Sequence, residues 1–422
     1  MLEPHSQYSG AEVDGSALGM TQDPVREGQP PAASLEEFSI VQGGWLYRIQ
    51  RSMGLAMPDL QRVLLRPVLM ALITWLPLLI LSAIQGLAVG HRVNVPFLRD
   101  YSAHIRLLVA LPILVMAEVV IDPRLRHAVK YFVISGLVTP SELPAFKRLI
   151  QDTSRIRDSV WPSIFVFICA FAPSIWIEGS SFLETGSSTW HRIPSESGSV
   201  LSLAGWWFSI VSISFYRLWL FRWVWLMVLW TVFLHRVSRL KLRCIPVHPD
   251  HAAGLAFLTH TQRFFGLIGL SISIVLAAGF GNEILYQGAD FLKLRFMIIS
   301  SALFVICALA APLLVVTPLL LNVKREGLRT YGTLGAAYAQ TFDSKWIKGN
   351  AAEGVDILSF PDSSTLTDYC SDYAVVREMK TFLLDKETVI ALALPAALPM
   401  VILTLAFSPT KDLLLSIVKL IL

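Results

Sequence analysis

Seven long apolar stretches set the rhythm of this chain. They run from Pro67 to Val89, Ile105 to Ile121, Val160 to Ile177, Val200 to Leu234, Phe264 to Tyr286, Phe296 to Leu321 and Glu387 to Phe407. A helix rising 1.5 Å per residue needs about 20 apolar residues to cross a bilayer core, so each stretch predicts a transmembrane helix. The second and third lie at the short end of that range. The fourth is too long for one crossing and must tilt, project or break.

The segments between the spans show a different period. In "PRLRHAVKYFVISG", Leu125, Val129, Phe132 and Val133 recur at helical spacing, and Gly136 ends the pattern. In "TPSELPAFKRLI", Thr139 reads as an N-cap, Pro140 as the first helical residue and Glu142 as the capping-box partner. Leu143, Phe146 and Ile150 then form one stripe. Leu328, Tyr331, Leu334, Tyr338 and Phe342 extend the sixth span as a helix, and "KGNAAEG" breaks it. "SSTLTDYCSDYAVVREMKTF" predicts a further helix, with Tyr369, Tyr373, Val376 and Met379 on one side. This small segment is expected to pack on the first interspan loop. "PTKDLLLSIVKLIL" reads as an amphipathic helix in the outer interface.

Composition sharpens the class. Of 422 residues, 54% are hydrophobic and 16% charged, against about 25% charged in soluble proteins. Residues 1–40 are rich in Gly, Pro, Ser and acids, too poor in large apolar groups to offset ordering entropy, and read as a disordered tail. They lack the basic start and apolar core of a signal peptide. The expected fold is all-α: a polytopic transmembrane helix bundle of about seven spans. It occupies residues 41–422 and carries short cytoplasmic helical insertions at 122–159 and 322–386.

Charge orients the bundle. The loop after the second span holds Arg124, Arg126, Lys130, Lys147, Arg148, Arg155 and Arg157, whereas the next holds only Arg192. The following one holds Arg236, Arg239, Lys241, Arg243 and Arg263, and the turn at 287–295 only Lys293 and Arg295. The alternation predicts an N-terminus in the cytoplasm and a C-terminus outside. Cys169 and Cys307 fall in spans, Cys244 and Cys370 on cytoplasmic segments, so no disulfide framework is implied.

Two groups of residues could carry chemistry. "SFYRLWLFRWVWLMVLW" places Arg217 and Arg222 inside the fourth span, among Trp219, Trp223, Trp225 and Trp230. A charge at the bilayer centre costs at least about 2.5 kcal/mol on insertion scales and calls for a partner. Glu118 in the second span is the best candidate; Glu178 and Glu283 sit near span ends. Arg222 then fixes helix packing, lines a pore or gate, or snorkels to an interface. The second group is "PVHPDHAAGLAFLTHTQRFF", with His248, Asp250, His251 and His260. Here Asp250 is expected to cap a helix beginning at His251. A metal or proton-sensing site at His248, Asp250 and His251 is the alternative, although no Cys cluster supports it and His260 does not share a face with His251. Pro77, Pro112, Pro173, Pro312, Pro318, Pro395 and Pro399 interrupt the spans, and Gly266, Gly269, Gly279 and Gly281 would allow close helix contact.

No nucleotide-binding, hydrolase-elbow, zinc-protease or paired Cys-x-x-Cys sequence occurs, and no cofactor or metal is implied. The runs "SRLKLRCIPVHPDHAAGLAFL" and "DILSFPDSSTLTDYCSDYAVVREM" resemble those of uncharacterised bacterial polytopic inner-membrane proteins. The resemblance covers most of the chain after residue 40. It implies a bacterial inner-membrane setting and a shared topology, and brings no activity. Three function classes stay open. A channel or transporter for a small ion or solute leads, on Arg217, Arg222 and Glu118. A membrane-embedded scaffold or sensor with a cytoplasmic protein partner is the alternative, and a membrane enzyme the third. The partners expected are the lipid bilayer, a homo-oligomeric copy or a cytoplasmic protein, and no nucleic acid.

Overall fold

The computed structural model describes residues 38–44, 48, 52, 60–179, 189–195, 198–349 and 361–407. The amphipathic segment after Ser408 and residues 1–37 of the proposed tail lie outside them. The last residues of that tail, Phe38, Ser39 and Ile40, are buried.

Helix α1, Leu60–Ile84, runs through Pro67 and Pro77. α2 spans Tyr101–Ile134, with a wider π-type turn over Ile105–Ala110. The second apolar stretch and the amphipathic pattern after it are therefore one helix, not two. Pro123 sits inside it, and the Arg124 guanidinium donates to the Val120 carbonyl one turn back, beside the bond that Pro123 cannot make. Gly136, at φ +71°, ends the helix.

α3, Leu143–Asp158, starts later than expected. Thr139 Oγ1 pairs with Ser141 Oγ, 3.0 Å away, and caps nothing; the Thr139 carbonyl instead closes a turn onto the N–H groups of Glu142 and Leu143. Phe146, Leu149, Ile150 and Thr153 form its buried face. The chain bends by 42° at Ser159 into α4, Val160–Gly179. A short hairpin follows, β1 (Arg192–Ser195) and β2 (Gly198–Leu201), with Ile193 opposite Val200.

α5, Leu203–Val237, is a single 35-residue helix relieved by a π-type turn at Phe208–Ser212. The short helix α6, Phe257–Arg263, leads into α7, Gly266–Gln287. α8, Phe291–Leu314, stops seven residues before the sixth apolar stretch ends. α9, Thr317–Phe342, starts afresh, with Pro318 in its first turn, where an N–H would have no intrahelical partner. α10, Pro361–Glu378, packs on α9 rather than on the first interspan loop: the Tyr369 hydroxyl donates to the Tyr331 carbonyl, and its ring stacks on Tyr331 and Tyr338. α11, Lys386–Phe407, closes the described chain.

Among the described residues, six helical segments are long and apolar enough to cross a membrane, or seven if the bent α3–α4 pair is one span. α5 supplies the centre of the bundle. Trp219, Trp223, Trp230 and Phe233 are fully buried there, and Phe233 stacks against Phe38 and Trp230. Side-chain bonds tie neighbouring helices together: Trp223 Nε1 donates to the Leu114 carbonyl (2.9 Å), Ser271 to Ala110 (2.9 Å) and Gln262 Nε2 to Leu309 (2.6 Å). The outward faces stay apolar, with Leu72 and Ile80 of α1, Phe165 of α4, Phe304 of α8 and Ile402 of α11 all exposed. Surfaces this apolar would associate in water. Hydrocarbon is their natural solvent, and the chain is an integral, multi-pass α-helical membrane protein.

Candidate ligand-binding groove

Two ends of the bundle are distinguished by their connections. The hairpin end carries residues 85–100 and 189–201; the basic end carries residues 135–142 and 238–256.

Within the spans, the structure brings Glu118 of α2 and Arg222 of α5 together as an ion pair, with both side chains more than nine-tenths buried. Arg222 Nη2 also donates to the Val41 carbonyl (2.9 Å), and its guanidinium lies 5.4 Å from the Trp219 ring centre. Residues 38–44 are strapped over this pair. Ser39 donates to Asp122, Arg157 donates to the Ser39 carbonyl, and Gly44 N–H donates to Asp158 Oδ1 (2.8 Å). The pocket that remains beside Arg222 holds only about 40 Å³.

Arg217 does not join this pair. It donates to Ser174 Oγ (3.1 Å), which lies 3.1 Å from Ser214 Oγ. Arg106, which the sequence reading passed over, lies in electrostatic reach of Asp100, Tyr216 and Arg217. Its position in the second apolar stretch was signal enough. Asp100 is a further buried acid, accepting from Trp190 Nε1 (2.9 Å), Asn282 Nδ2 (2.8 Å) and Ala103 N–H (3.2 Å).

The basic end holds the larger cavity, about 720 Å³. One wall is α2, where Arg124, His127 and Tyr131 recur at i, i+3 and i+7 on one face. The other wall is the 246–256 loop and α6, contributing His248, Asp250, Phe257 and His260. Aromatic rings brace it: Phe257 packs 4.7 Å from Tyr131, and the Arg124 guanidinium sits 3.5 Å above Phe264.

The loop owes its shape to Asp250. No helix begins at His251, so the capping expectation fails there. His251 and Ala253 have φ of +54° and +55°, and Gly254 has +91°. Left-handed backbone at non-glycine residues costs energy and persists only where the surroundings hold it. Asp250 holds it by accepting from the N–H groups of Ala252 (2.8 Å), Gly254 (3.1 Å) and Ala256 (3.0 Å). His248 Nδ1 lies 2.8 Å from Asp250 Oδ1. Partial burial raises the Asp250 pKa, but the backbone donors at Ala252, Ala256 and Gly254, and then His248, outweigh it and leave the carboxyl below its ordinary value.

His251 lies away from the groove lining, and its carbonyl accepts from Lys380 N–H (2.7 Å), fastening the end of α10. His248 and His260 do share the groove, although twelve positions separate them. Among the described residues, no three His, Cys, Asp or Glu side chains converge as a metal site requires. The Asp250 carboxylate is turned onto its own loop. The groups left to face the cavity are one guanidinium, three imidazoles and two hydroxyls, a set rich in hydrogen-bond donors over an aromatic wall. Comparison with protein-family models, with curated proteins and with solved structures finds no match.

Proposed function

We propose that this membrane protein is a receptor or sensor that takes a small anionic solute into the groove at its basic end. The observation that carries this reading is the donor-rich lining of Arg124, His127, His248 and His260, in which the one carboxylate is already satisfied by backbone N–H groups. Arg124 supplies the permanent charge, and its stacking on Phe264 limits the entropy lost when an anion is bound. The conduction reading built on Arg222, Arg217 and Glu118 has weaker support, because Arg222 is neutralised by Glu118 and covered by Val41. The distribution of basic residues between the two ends favours the basic end in the cytoplasm, and the bacterial inner membrane rests on the sequence resemblance alone.

The test is a titration of the purified protein in lipid nanodiscs with inorganic phosphate and with citrate. Saturable binding that weakens at least tenfold in Arg124→Gln and His260→Gln supports the assignment. Equal response in wild type and both variants overturns it. Anion flux in proteoliposomes that disappears in Arg217→Gln would reinstate conduction. Orientation is checked separately: a cysteine replacing exposed Val200 should label from outside the cell, and one replacing Thr341 should not.

A further inference from the structure

The other half of the bundle contains a second concavity of a different kind. It lies between α2, α7 and α11, with a volume of about 420 Å³. Ala277, Ala278 and Gly281 of α7 make its floor, and Ile105, Leu398 and Ile402 its walls. The cause is a graded separation of α7 and α11. At the basic end the two backbones nearly touch: a Cβ on Gly266 would come within 2.6 Å of the Ala391 carbonyl oxygen. Toward the hairpin end the helices part, and the nearest atom to a Cβ on Gly281 would be Leu403 Cδ1 at 3.4 Å.

Leu285, Leu398 and Ile402 at the rim are all exposed, and they belong to helices that qualify as spans. The medium at the mouth is therefore hydrocarbon. An apolar void forfeits dispersion contacts that a flexible chain would restore. A lipid tail is the occupant available at that depth.

The polar features cluster at one end. Asn282 lines the groove and donates its Nδ2 to Asp100, while its buried Oδ1 has no hydrogen-bond partner. A few residues on, the Tyr286 hydroxyl donates to the Arg99 carbonyl (2.8 Å) and lies in electrostatic reach of Tyr101 and Arg99. Arg99 and Tyr101 are both exposed at this end. Arginine and tyrosine where an apolar groove meets the membrane surface complement an anionic head group.

We infer that this groove is a binding site for one membrane lipid, with a hydrocarbon chain along Ala278 and Gly281 and an anionic head at Arg99. A hydroxyl or N–H on that lipid satisfies Asn282 Oδ1. The site is independent of the basic groove and of any reading of it.

Native mass spectrometry of the detergent-purified protein tests this. The expected result is one retained lipid per chain, anionic in head group. Ala278→Phe should fill the groove and abolish retention without lowering the unfolding temperature. Arg99→Gln should keep a lipid but lose at least tenfold of the preference for anionic over zwitterionic heads, measured by exchange in mixed micelles. Should Ala278→Phe fail to fold, Arg99→Gln alone decides. A wild-type chain without lipid, a folded Ala278→Phe protein with full retention, or an unchanged head preference in Arg99→Gln overturns the inference.

Discussion

Arg222 and Arg124 are the same residue put to opposite uses. Arg222 lies inside the bundle, paired with Glu118, bonded to Val41 and beside Trp219. Arg124 lies where α2 leaves the apolar layer, stacked on Phe264, and lines an open cavity without a carboxylate partner of its own in that wall. In the interior, low dielectric makes an unpaired charge expensive, and at Arg222 the fold cancels it with Glu118. At the boundary, water is near enough that the charge can be held in place by a ring and kept for a ligand. The contrast says where to look for function in such a chain: at donors that the fold positions and leaves available.

The largest effect should come from breaking the closed site. Glu118→Leu or Arg222→Leu alone strands a buried charge and should cost about 3–5 kcal/mol, while the double change should restore most of it. Thermal unfolding in detergent reads this directly. A double variant no more stable than the singles would mean that the pair does more than neutralise itself.

Asp250 comes next, since it holds a strained loop through three backbone donors. Asp250→Ala should cost about 1.5–3 kcal/mol, the range for hydrogen bonds to a charged group. It should also weaken anion binding more than either donor variant, because His248 moves with the loop. The pH dependence has a definite sign. The folded-state carboxyl pKa lies below its ordinary value. Its contribution is therefore complete above an unfolded value of about 3.9 and is lost as pH falls through the lower folded value. Groove binding that fails on acidification while the carboxylate is still ionised would point to another titrating group.

Arg124→Gln and His260→Gln belong to the open site and should behave in reverse. Stability should change by no more than about 0.5 kcal/mol in His260→Gln, as for surface substitutions, and by about 0.5–2 kcal/mol in Arg124→Gln, which also loses the stack on Phe264 and the bond to Val120. Affinity should fall about tenfold, or about 1.4 kcal/mol. A His260→Gln variant that lost stability as well would move that residue toward the closed class.

The smallest effect concerns Cys244, at the entrance to the loop. Burial, with Asp250 adding to it, pushes its thiol up to about 11, so little thiolate forms near neutrality. Maleimide should modify exposed Cys370 well before Cys244, and Asp250→Ala should narrow the gap. Equal rates in the unaltered protein would show that the loop opens.

The spans were the most readable part of the sequence, and their errors fall at prolines. The second apolar stretch ends at Ile121, yet its helix runs on through Pro123, whereas α8 stops short of Pro318 although the apolar run continues past it. Hydropathy measures affinity for lipid and is silent about which carbonyl has lost its donor. The loop was misread for a related reason. Asp250 before His251 looks like a helix cap, but the backbone at His251, Ala253 and Gly254 turns left-handed, and the N–H groups of Ala252, Gly254 and Ala256 reach the carboxylate from a coil.

By itself, the sequence determined that this chain lives in a membrane, roughly where it crosses and which intramembrane residues carry charge. Those properties depend on transfer free energies that sum along the chain, with no knowledge of neighbours. Tertiary structure decided the rest. It set Glu118 against Arg222, left Arg217 to Ser174, folded Phe38 to Val41 into the core, and brought His127, His248 and His260 from separate elements to one cavity. Such meetings depend on how helices tilt and cross, which is fixed by packing among side chains far apart in the chain, and no local pattern encodes it.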